Sequence, residues 1–359
     1  LVPNHAYSLI DVHEVFDSSG SRIRLLKIRN PHAKSRWQGS WSHSSSCWTQ
    51  ELRQAVAYEG HNNSGMFFIA LDDFLQFFEN TTICRIRSEA WQENRVLVKL
   101  PCGQIPCFGI AVEVFETTEC SISLVQPEER VRQGRFYEDR LGTMACIGFA
   151  LLRLSSAGSS RGESVAIGQM RSHAVVSADC WLHPGCSFLL VPLSLHDGPV
   201  SVPVVCACVS SRAVIFSRRA LSRPSARAAW AAYARTGGKQ QESPQEFHGA
   251  VLHCAKARGG SVVALAENRS RMGFFQVGLT FESEGLRYVR GAGATSDWLR
   301  PGQGQLLQVA LPHGASGGNT GWRSNSSFQM KYWKPHGPLH DPELPQDADG
   351  LHTPFSLEG

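Results

Sequence analysis

Two residues near the start of the chain, His5 and Asn30, have side chains that together could carry out proton-transfer chemistry. His5 precedes an Ala-Tyr-Ser run, and Asn30 precedes a proline and, a few residues later, a Trp-x-Gly-x-Trp segment at residues 37–41. An imidazole takes up and releases a proton near neutral pH, and an amide side chain can hold such a ring in one orientation. A single histidine or a single Asn-Pro is more often structural, so the flanking motifs carry the prediction.

A β-hairpin is the element that must bring these two residues together. Apolar residues predict a strand over residues 7–12, and an Asp-Ser-Ser-Gly turn follows at residues 17–20. Alternating basic and apolar side chains then predict a half-buried returning strand over residues 23–28. A hairpin of this kind places His5 and Asn30 near the same end.

These motifs, in this order and at this spacing, resemble the second half of the calpain catalytic domain, which reads Gly-His-Ala-Tyr-Ser, Arg-Asn-Pro-Trp-Gly and Trp-x-Gly-x-Trp. The resemblance continues through Gly-Met-Phe-Phe at residues 65–68 and covers residues 1–86. It implies a papain-like fold and a calpain-type cysteine endopeptidase with a Cys-His-Asn triad. In that triad His5 is the general base and acid, and Asn30 orients the imidazole. The implied function is intracellular, limited proteolysis of protein substrates.

The nucleophilic cysteine of that family lies in a Gln-Gly-x-x-Gly-Asp-Cys-Trp segment, and no such segment occurs in the chain. We therefore expect a C-terminal fragment that is inactive alone and needs the missing N-terminal catalytic subdomain as its partner. Cys47 follows Trp41 in a Ser-rich turn, where the family has a non-catalytic residue, so it is disfavoured as a substitute. The alternative function is a catalytically inert β-sandwich module with an interaction or regulatory role.

Several positions depart from the family pattern. His32 stands where a tryptophan covers the His–Asn hydrogen bond in the family. Calpains also bind Ca²⁺ in loops of this half-domain through carboxylate and carbonyl oxygens, but His43, Ser64 and Met66 replace the local ligands. Calcium is therefore a cofactor that the family suggests and these residues do not support. We predict no metal ligand, and no EF-hand loop pattern occurs in the chain.

Beyond residue 86, short β runs recur between Gly, Pro and Ser residues, a pattern typical of antiparallel β-sandwiches. The fold class predicted for the whole chain is α+β, mostly β. A helix near residues 226–234 is an alternative for part of the basic segment that interrupts the strands. The predicted layout is a sandwich like calpain domain III over residues 87–212, a basic linker over 213–246, a second sandwich over 247–334 and a disordered tail over 335–359.

Three segments resemble the small-optic-lobes branch of the calpains, in which two β-sandwich modules follow the protease domain. They are residues 95–101, 262–269 and 297–305, which read RVLVKLP, VVALAENR and DWLRPGQGQ. The resemblance implies that no calmodulin-like calcium domain follows the protease half.

The composition is that of a globular protein of 359 residues, with 42% hydrophobic residues and a net charge of +4 that is too small to argue for nucleic-acid binding. No apolar run approaches the roughly 20 residues that span a membrane, and residues 1–5 do not read as a signal peptide. Eleven cysteines without C-x2-C spacing predict reduced structural thiols and a cytoplasmic location. Four N-x-S/T sequons, beginning at residues 62, 80, 268 and 325, leave a secreted protein as a minor alternative.

Overall fold

Antiparallel β-sheets make up most of the protein, as the strand-and-turn pattern predicts. The computed structural model divides the chain into two units, Leu1–Ile86 and Arg87–Gly359, and each is described by itself. It describes all residues except 3–4, 18, 34–36, 59, 61–64, 85, 102–104, 128–143, 155–161, 196–200, 238, 243–248, 257–260, 283–285, 313–324, 334–349 and 358–359.

The first unit is built around a three-stranded sheet in the order β1-β2-β3. Its elements are β1 (Ser8–Phe16), β2 (Arg22–Arg29), helix α1 (Gln50–Ala55), β3 (Met66–Ala70) and helix α2 (Leu71–Phe77). β1 and β2 form the predicted hairpin, in which Ser8 lies opposite Arg29. The residues just before β1 and just after β2 therefore meet at one end of the sheet.

Aromatic side chains cover both faces of this sheet, because successive residues of β3 point to opposite sides. Phe68 packs on one face, in a cluster with Trp41, Trp48 and Leu52. Phe67 and Ile69 pack on the other face, with Tyr7, Trp37, Phe74 and Phe78 against them. β2, the central strand, is thereby fixed from both sides and gives Asn30 a rigid base.

The second unit begins with two sheets that share one core. The five-stranded sheet has the order β12-β5-β10-β7-β8 and the four-stranded sheet the order β4-β11-β6-β9. Strand β6 shows why the sheets stack, since its residues alternate strictly between buried and half-buried, and Ile122 and Leu124 enter the common core. The strands are β4 (Gln92–Leu100), β5 (Phe108–Val114), β6 (Thr118–Val125), β7 (Ile147–Leu154), β8 (Gly162–Arg171), β9 (Val175–Leu182), β10 (Ser187–Ser194), β11 (Val202–Ser210) and β12 (Val214–Ala220).

Two more sheets follow in the same unit. Strands β13-β14-β15-β19-β17, with β21 beside β19, form one sheet, and β18-β16-β20 form the other. Leu252, Ala264 and Phe275 belong to the core between them. The strands are β13 (Lys239–Glu242), β14 (Ala250–Lys256), β15 (Val262–Asn268), β16 (Phe274–Glu282), β17 (Leu286–Tyr288), β18 (Ala294–Leu299), β19 (Gln303–Pro312), β20 (Asn325–Trp333) and β21 (Phe355–Ser356).

The described part of residues 213–246 is not a solvated linker, and the helix alternative comes closer to the structure. The segment contains β12, β13 and a 15-residue helix, α3 (Arg223–Gly237). Alanines give this helix a narrow profile, and Trp230 is completely buried. Its apolar residues share a core with the outer face of the five-stranded sheet, at Leu152 and Val191, and with Leu265 of β15. The arginines suggested a solvated segment, but Arg227 is itself buried and donates to the carbonyls of Gly350 and Thr353.

The predicted disordered tail over residues 335–359 is ordered in the part that the structure describes, residues 350–357. Leu351 is fully buried in the α3 core. The His352 Nδ1 donates to the carbonyl of Leu306 at 2.7 Å, and β21 pairs with β19. These contacts are with residues far away in sequence, so the local composition could not predict them.

The motifs at residues 262–269 and 297–305 contribute buried polar side chains. Asp297 is completely buried and accepts hydrogen bonds from Gln305 at 2.9 Å and Arg290 at 2.6 Å. Asn268 is also completely buried and donates to the carbonyls of Gly273 and Leu299, each at 3.0 Å. A glycan on Asn268 is incompatible with this packing, which removes one of the four sequons as an acceptor. Among the described residues, no helix is both long and apolar enough to cross a membrane.

Candidate active site

The hairpin brings the two predicted site residues into direct contact. His5 precedes β1 and Asn30 follows β2, and the pairing of Ser8 with Arg29 closes that end of the hairpin. The Nε2 of His5 lies 2.9 Å from the Oδ1 of Asn30. Asn30 is 1% exposed, so this hydrogen bond is sheltered from water on the amide side.

A second contact defines which nitrogen of His5 carries the proton. The Asn30 Oδ1 also accepts the backbone N–H of His32 at 3.0 Å. Because a backbone N–H can only donate, the atom it meets must be the amide oxygen and not the amide nitrogen. The His5 Nε2 must then donate to that oxygen, which leaves the Nδ1 of a neutral ring as the basic nitrogen.

The turn that holds Asn30 depends on a close approach to Gly65. The backbone N–H of Asn30 donates to the Gly65 carbonyl at 3.0 Å, and the Ala33 N–H donates to the Asn30 carbonyl at 3.1 Å. Gly65 has φ +76°, and a Cβ added there would lie 2.3 Å from the Asn30 carbonyl oxygen. Gly65 therefore positions Asn30. The sequence alone could not predict this role, because it depends on a backbone angle and on a neighbour distant in sequence.

Aromatic rings flank the imidazole of His5. The ring of His32 stacks on it, with centroids 4.7 Å apart and planes at 28°. The ring of Tyr7 meets it edge-on at 4.8 Å, and Tyr7 is braced in turn by Phe67 and Phe78. His32, although exposed, thus lies against the ring of His5.

No cysteine of the described residues hydrogen-bonds to His5. Cys47 is exposed in the loop before α1, where its backbone N–H donates to the Ser45 Oγ at 3.2 Å. The buried cysteines of the second unit are poor nucleophiles, because the thiolate is the reactive form. Burial raises the pKa of the Cys146 thiol to about 11 and that of Cys206 to about 12.

Two of the calcium positions suggested by the family, His43 and Met66, carry side chains without an oxygen donor. Ca²⁺ takes six to eight oxygen ligands, whereas His43 offers a nitrogen and Met66 a thioether. The His43 Nδ1 is hydrogen-bonded to the Tyr58 hydroxyl. Ser64 lies outside the described residues. Within the described ranges, no group of three or more His, Cys, Asp or Glu side chains could hold a metal ion.

Comparison with known proteins places the similarity in the unit that carries His5 and Asn30. Residues 1–85 match the family model for calpain family cysteine proteases. The chain is 32% identical to calpain-9 of Rattus norvegicus over 96 residues, which are 26% of this chain and 14% of that protein. It is 37% identical to calpain-12 of Homo sapiens over 92 residues, 25% of this chain and 12% of the relative.

A plant protein shows the same similarity. The chain is 33% identical to the calpain-type cysteine protease DEK1 of Zea mays over 87 residues, 24% of this chain and 4% of the relative. In each of these three comparisons the chain spans 14% or less of the relative's length.

Proposed function

We propose, since residues 1–85 belong to the calpain family of cysteine proteases, that this chain supplies the histidine and asparagine of a cysteine endopeptidase site. The observation that carries the proposal is the 2.9 Å hydrogen bond between the His5 Nε2 and the Asn30 Oδ1. The His32 N–H on the same oxygen sets the amide orientation that this role requires.

The roles of the two side chains follow from their hydrogen bond, which engages the His5 Nε2 and leaves the His5 Nδ1 available. The His5 Nδ1 takes the proton of a cysteine thiol, and the resulting thiolate attacks the carbonyl of the scissile peptide bond. The imidazolium then gives that proton to the leaving amine, and a water molecule, activated by the same nitrogen, hydrolyses the acyl-enzyme. Asn30 holds the ring through Nε2 and stabilises its charged form.

The thiol would come from the N-terminal catalytic subdomain, which we propose as the partner of this unit. The edge strand β1 supports a covering partner, because it carries exposed apolar side chains just after His5. Leu9, Ile10 and Val12 are 44%, 47% and 65% exposed. An exposed apolar edge strand is costly in an isolated protein, since its unpaired backbone invites association.

The rest of the chain has its own cores and supports a second candidate, an interaction or regulatory module without catalysis. Residues 87–212 and 247–334 would correspond to the two β-sandwich modules of the small-optic-lobes branch, joined through α3. The specific observation in its favour is that no cysteine of the described residues is hydrogen-bonded to His5. We further propose protein substrates and a cytoplasmic location, which the cysteines of the described residues support, since all ten are outside disulfides.

Complementation tests the two candidates. The chain is mixed with, or expressed as a fusion to, a calpain N-terminal catalytic subdomain bearing Gly-Asp-Cys-Trp, and cleavage of a fluorogenic peptide is measured. We expect no turnover by the chain alone, and turnover in the complex that iodoacetamide abolishes. Asn30→Ala should reduce kcat by about 100-fold, and Cys47→Ser should leave it unchanged. Turnover by the chain alone that Cys47→Ser abolishes would contradict the proposed roles, and an inactive but well-formed complex would favour the non-catalytic module.

A further inference from the structure

The loop of residues 39–49 in the first unit is held by contacts from within the chain. The Trp48 Nε1 donates to the carbonyl of Ser42 at 2.9 Å. The rings of Trp41 and Trp48 meet edge-to-face at 5.1 Å, and both are buried. These contacts close the loop onto the start of α1, where the Thr49 Oγ1 accepts the N–H of Leu52.

The positively charged side chain of Arg53 packs against two aromatic rings next to this loop. The guanidinium of Arg53 lies 4.7 Å from the ring centroid of Tyr58 and 5.7 Å from that of Trp48. The Tyr58 N–H donates to the Arg53 carbonyl at 2.8 Å. His43 stacks on Tyr58 at 5.9 Å and hydrogen-bonds to its hydroxyl. We call His43, Trp48, Arg53 and Tyr58 the Arg53 cluster.

The Arg53 cluster is connected to the candidate active site through β3. Phe68 of β3 contacts the rings of Trp48 at 5.4 Å and Tyr58 at 5.8 Å. Gly65, just before β3, accepts the N–H of Asn30. One short strand, β3, therefore connects these rings to the backbone that holds Asn30.

We infer that the Arg53 cluster orders this loop in place of a bound cation, so that the geometry of His5 and Asn30 does not depend on calcium. A cation at His43 would meet a nitrogen already bonded to a hydroxyl, and would be repelled by the nearby guanidinium. The inference rests on the proposed function, because it concerns the regulation of the same site, and it removes the calcium control that the family suggests.

Hydrogen–deuterium exchange of the full chain tests the inference without any need for activity. Exchange of peptides covering residues 39–58 and 65–70 is measured by mass spectrometry in millimolar CaCl2 and in EGTA. We expect the same protection in both. Arg53→Ala should raise exchange in these peptides by about three- to tenfold, and calcium should not restore it. The matched control is Arg24→Ala, an exposed arginine of β2 that lies 3.4 Å from Glu14 and should leave the loop unchanged.

Two results would overturn the inference: calcium-dependent protection of the wild-type loop, or equal exchange in Arg53→Ala and the wild type. If Arg53→Ala does not fold, Tyr58→Phe removes only the hydroxyl that binds His43, and unchanged exchange in that variant has the same meaning. A calcium effect on exchange would leave the roles of His5 and Asn30 intact. Failure of complementation would leave the exchange result intact, so the two ideas fail separately.

Discussion

Two histidines, one in each unit, are hydrogen-bonded to partners of different chemistry: His5 to an asparagine and His253 to a glutamate. In the first unit, His5 is half-buried and bonds to a neutral amide. In the second, His253 is 4% exposed and lies 3.4 Å from the carboxylate of Glu267, which also binds Arg235 at 2.7 Å and Arg269 at 2.6 Å. A buried carboxylate surrounded by cations holds elements together, whereas a half-exposed imidazole on a neutral partner keeps a nitrogen available for proton transfer.

The two buried asparagines extend the comparison. Asn268 donates to two carbonyls and accepts from the backbone and side chain of Ser270, so its amide is consumed by the fold. The oxygen of Asn30, by contrast, accepts from the titratable ring of His5 as well as from the backbone N–H of His32. Burial of a polar residue alone therefore does not distinguish the two roles, and the identity of the partner does.

The largest expected effect separates the two histidines. In the complemented enzyme, His5→Ala should lower kcat/KM by about 1000-fold or more, because the general base and acid is lost, with little change in Tm. His253→Ala should do the opposite, lowering Tm and leaving kcat/KM close to the wild-type value. Peptide turnover and thermal unfolding of both variants provide the measurement, and equal losses of activity in the two would break the comparison.

Removing the carboxylate of Glu267, the partner of His253, should have the next largest effect, a loss of stability. Glu267→Gln leaves two partly exposed arginines beside a neutral amide, and loss of hydrogen bonds to a charged group costs about 1.5–3 kcal/mol. Urea unfolding monitored by circular dichroism measures the change in the free energy of unfolding. The matched control is Glu163→Gln on β8, since Glu163 is 69% exposed and lies 3.5 Å from Arg153. A loss below about 1 kcal/mol, the range of exposed ion pairs, would show that the buried cluster is not a structural support.

Acid should weaken the contacts of Glu267 with His253, Arg235 and Arg269 in a defined range of pH. Burial acts to raise the pKa of Glu267, but the hydrogen bond from His253 and the charge of Arg235 outweigh it and lower the pKa from 4.5 to about 2. A lowered pKa in the folded state stabilises the protein above the unfolded value. This contribution, about 3 kcal/mol, should be lost as the pH falls from 4.5 towards about 2.

Urea unfolding of the wild type and Glu267→Gln between pH 6 and about pH 3 isolates this group from the other carboxylates. The difference in unfolding free energy between the two proteins should shrink as the pH falls. A difference that stays constant over this range would contradict the assignment.

Gly65→Ala should have the last of these effects on stability, together with a loss of turnover. Gly65→Ala and Gly20→Ala both place a side chain at a positive φ, +76° and +79°, which costs about 1–2 kcal/mol. Only at Gly65 would the new Cβ meet the Asn30 carbonyl, since nothing lies within 4 Å of that position at Gly20. We expect a larger loss of stability for Gly65→Ala than for Gly20→Ala, because the clash adds to the cost of the positive φ, and a loss of turnover, about 10-fold or more, only for Gly65→Ala.

The sequence predicted the contact between His5 and Asn30 better than the surroundings that support it. His5 and Asn30 could be placed together because a hairpin is a local element with a clear alternation of residues and a clear turn. The supporting role of Gly65 could not be predicted, because it depends on a backbone angle and on an approach between segments that are distant in sequence. The Asp297–Gln305 hydrogen bond lies between these cases, since the motif marked both residues but not their contact.

Helix α3 and the C-terminal segment show why composition misleads. Arginine and serine made residues 213–246 appear solvated, yet the alanines and Trp230 enter a core that includes residues of two sheets. Leu351 is buried only because the same core receives it. Both outcomes depend on partners that no local window of sequence contains.

The position of α3 also limits where the gene can recombine without disrupting the core. Its apolar residues belong to one core with Leu152 and Val191 of the five-stranded sheet and Leu265 of β15. A recombination breakpoint anywhere in the helix would expose parts of that core in both products. Residues 87–359 should therefore be exchanged between genes as a single block and unfold in one cooperative step, even though the sheets themselves suggest two separable modules.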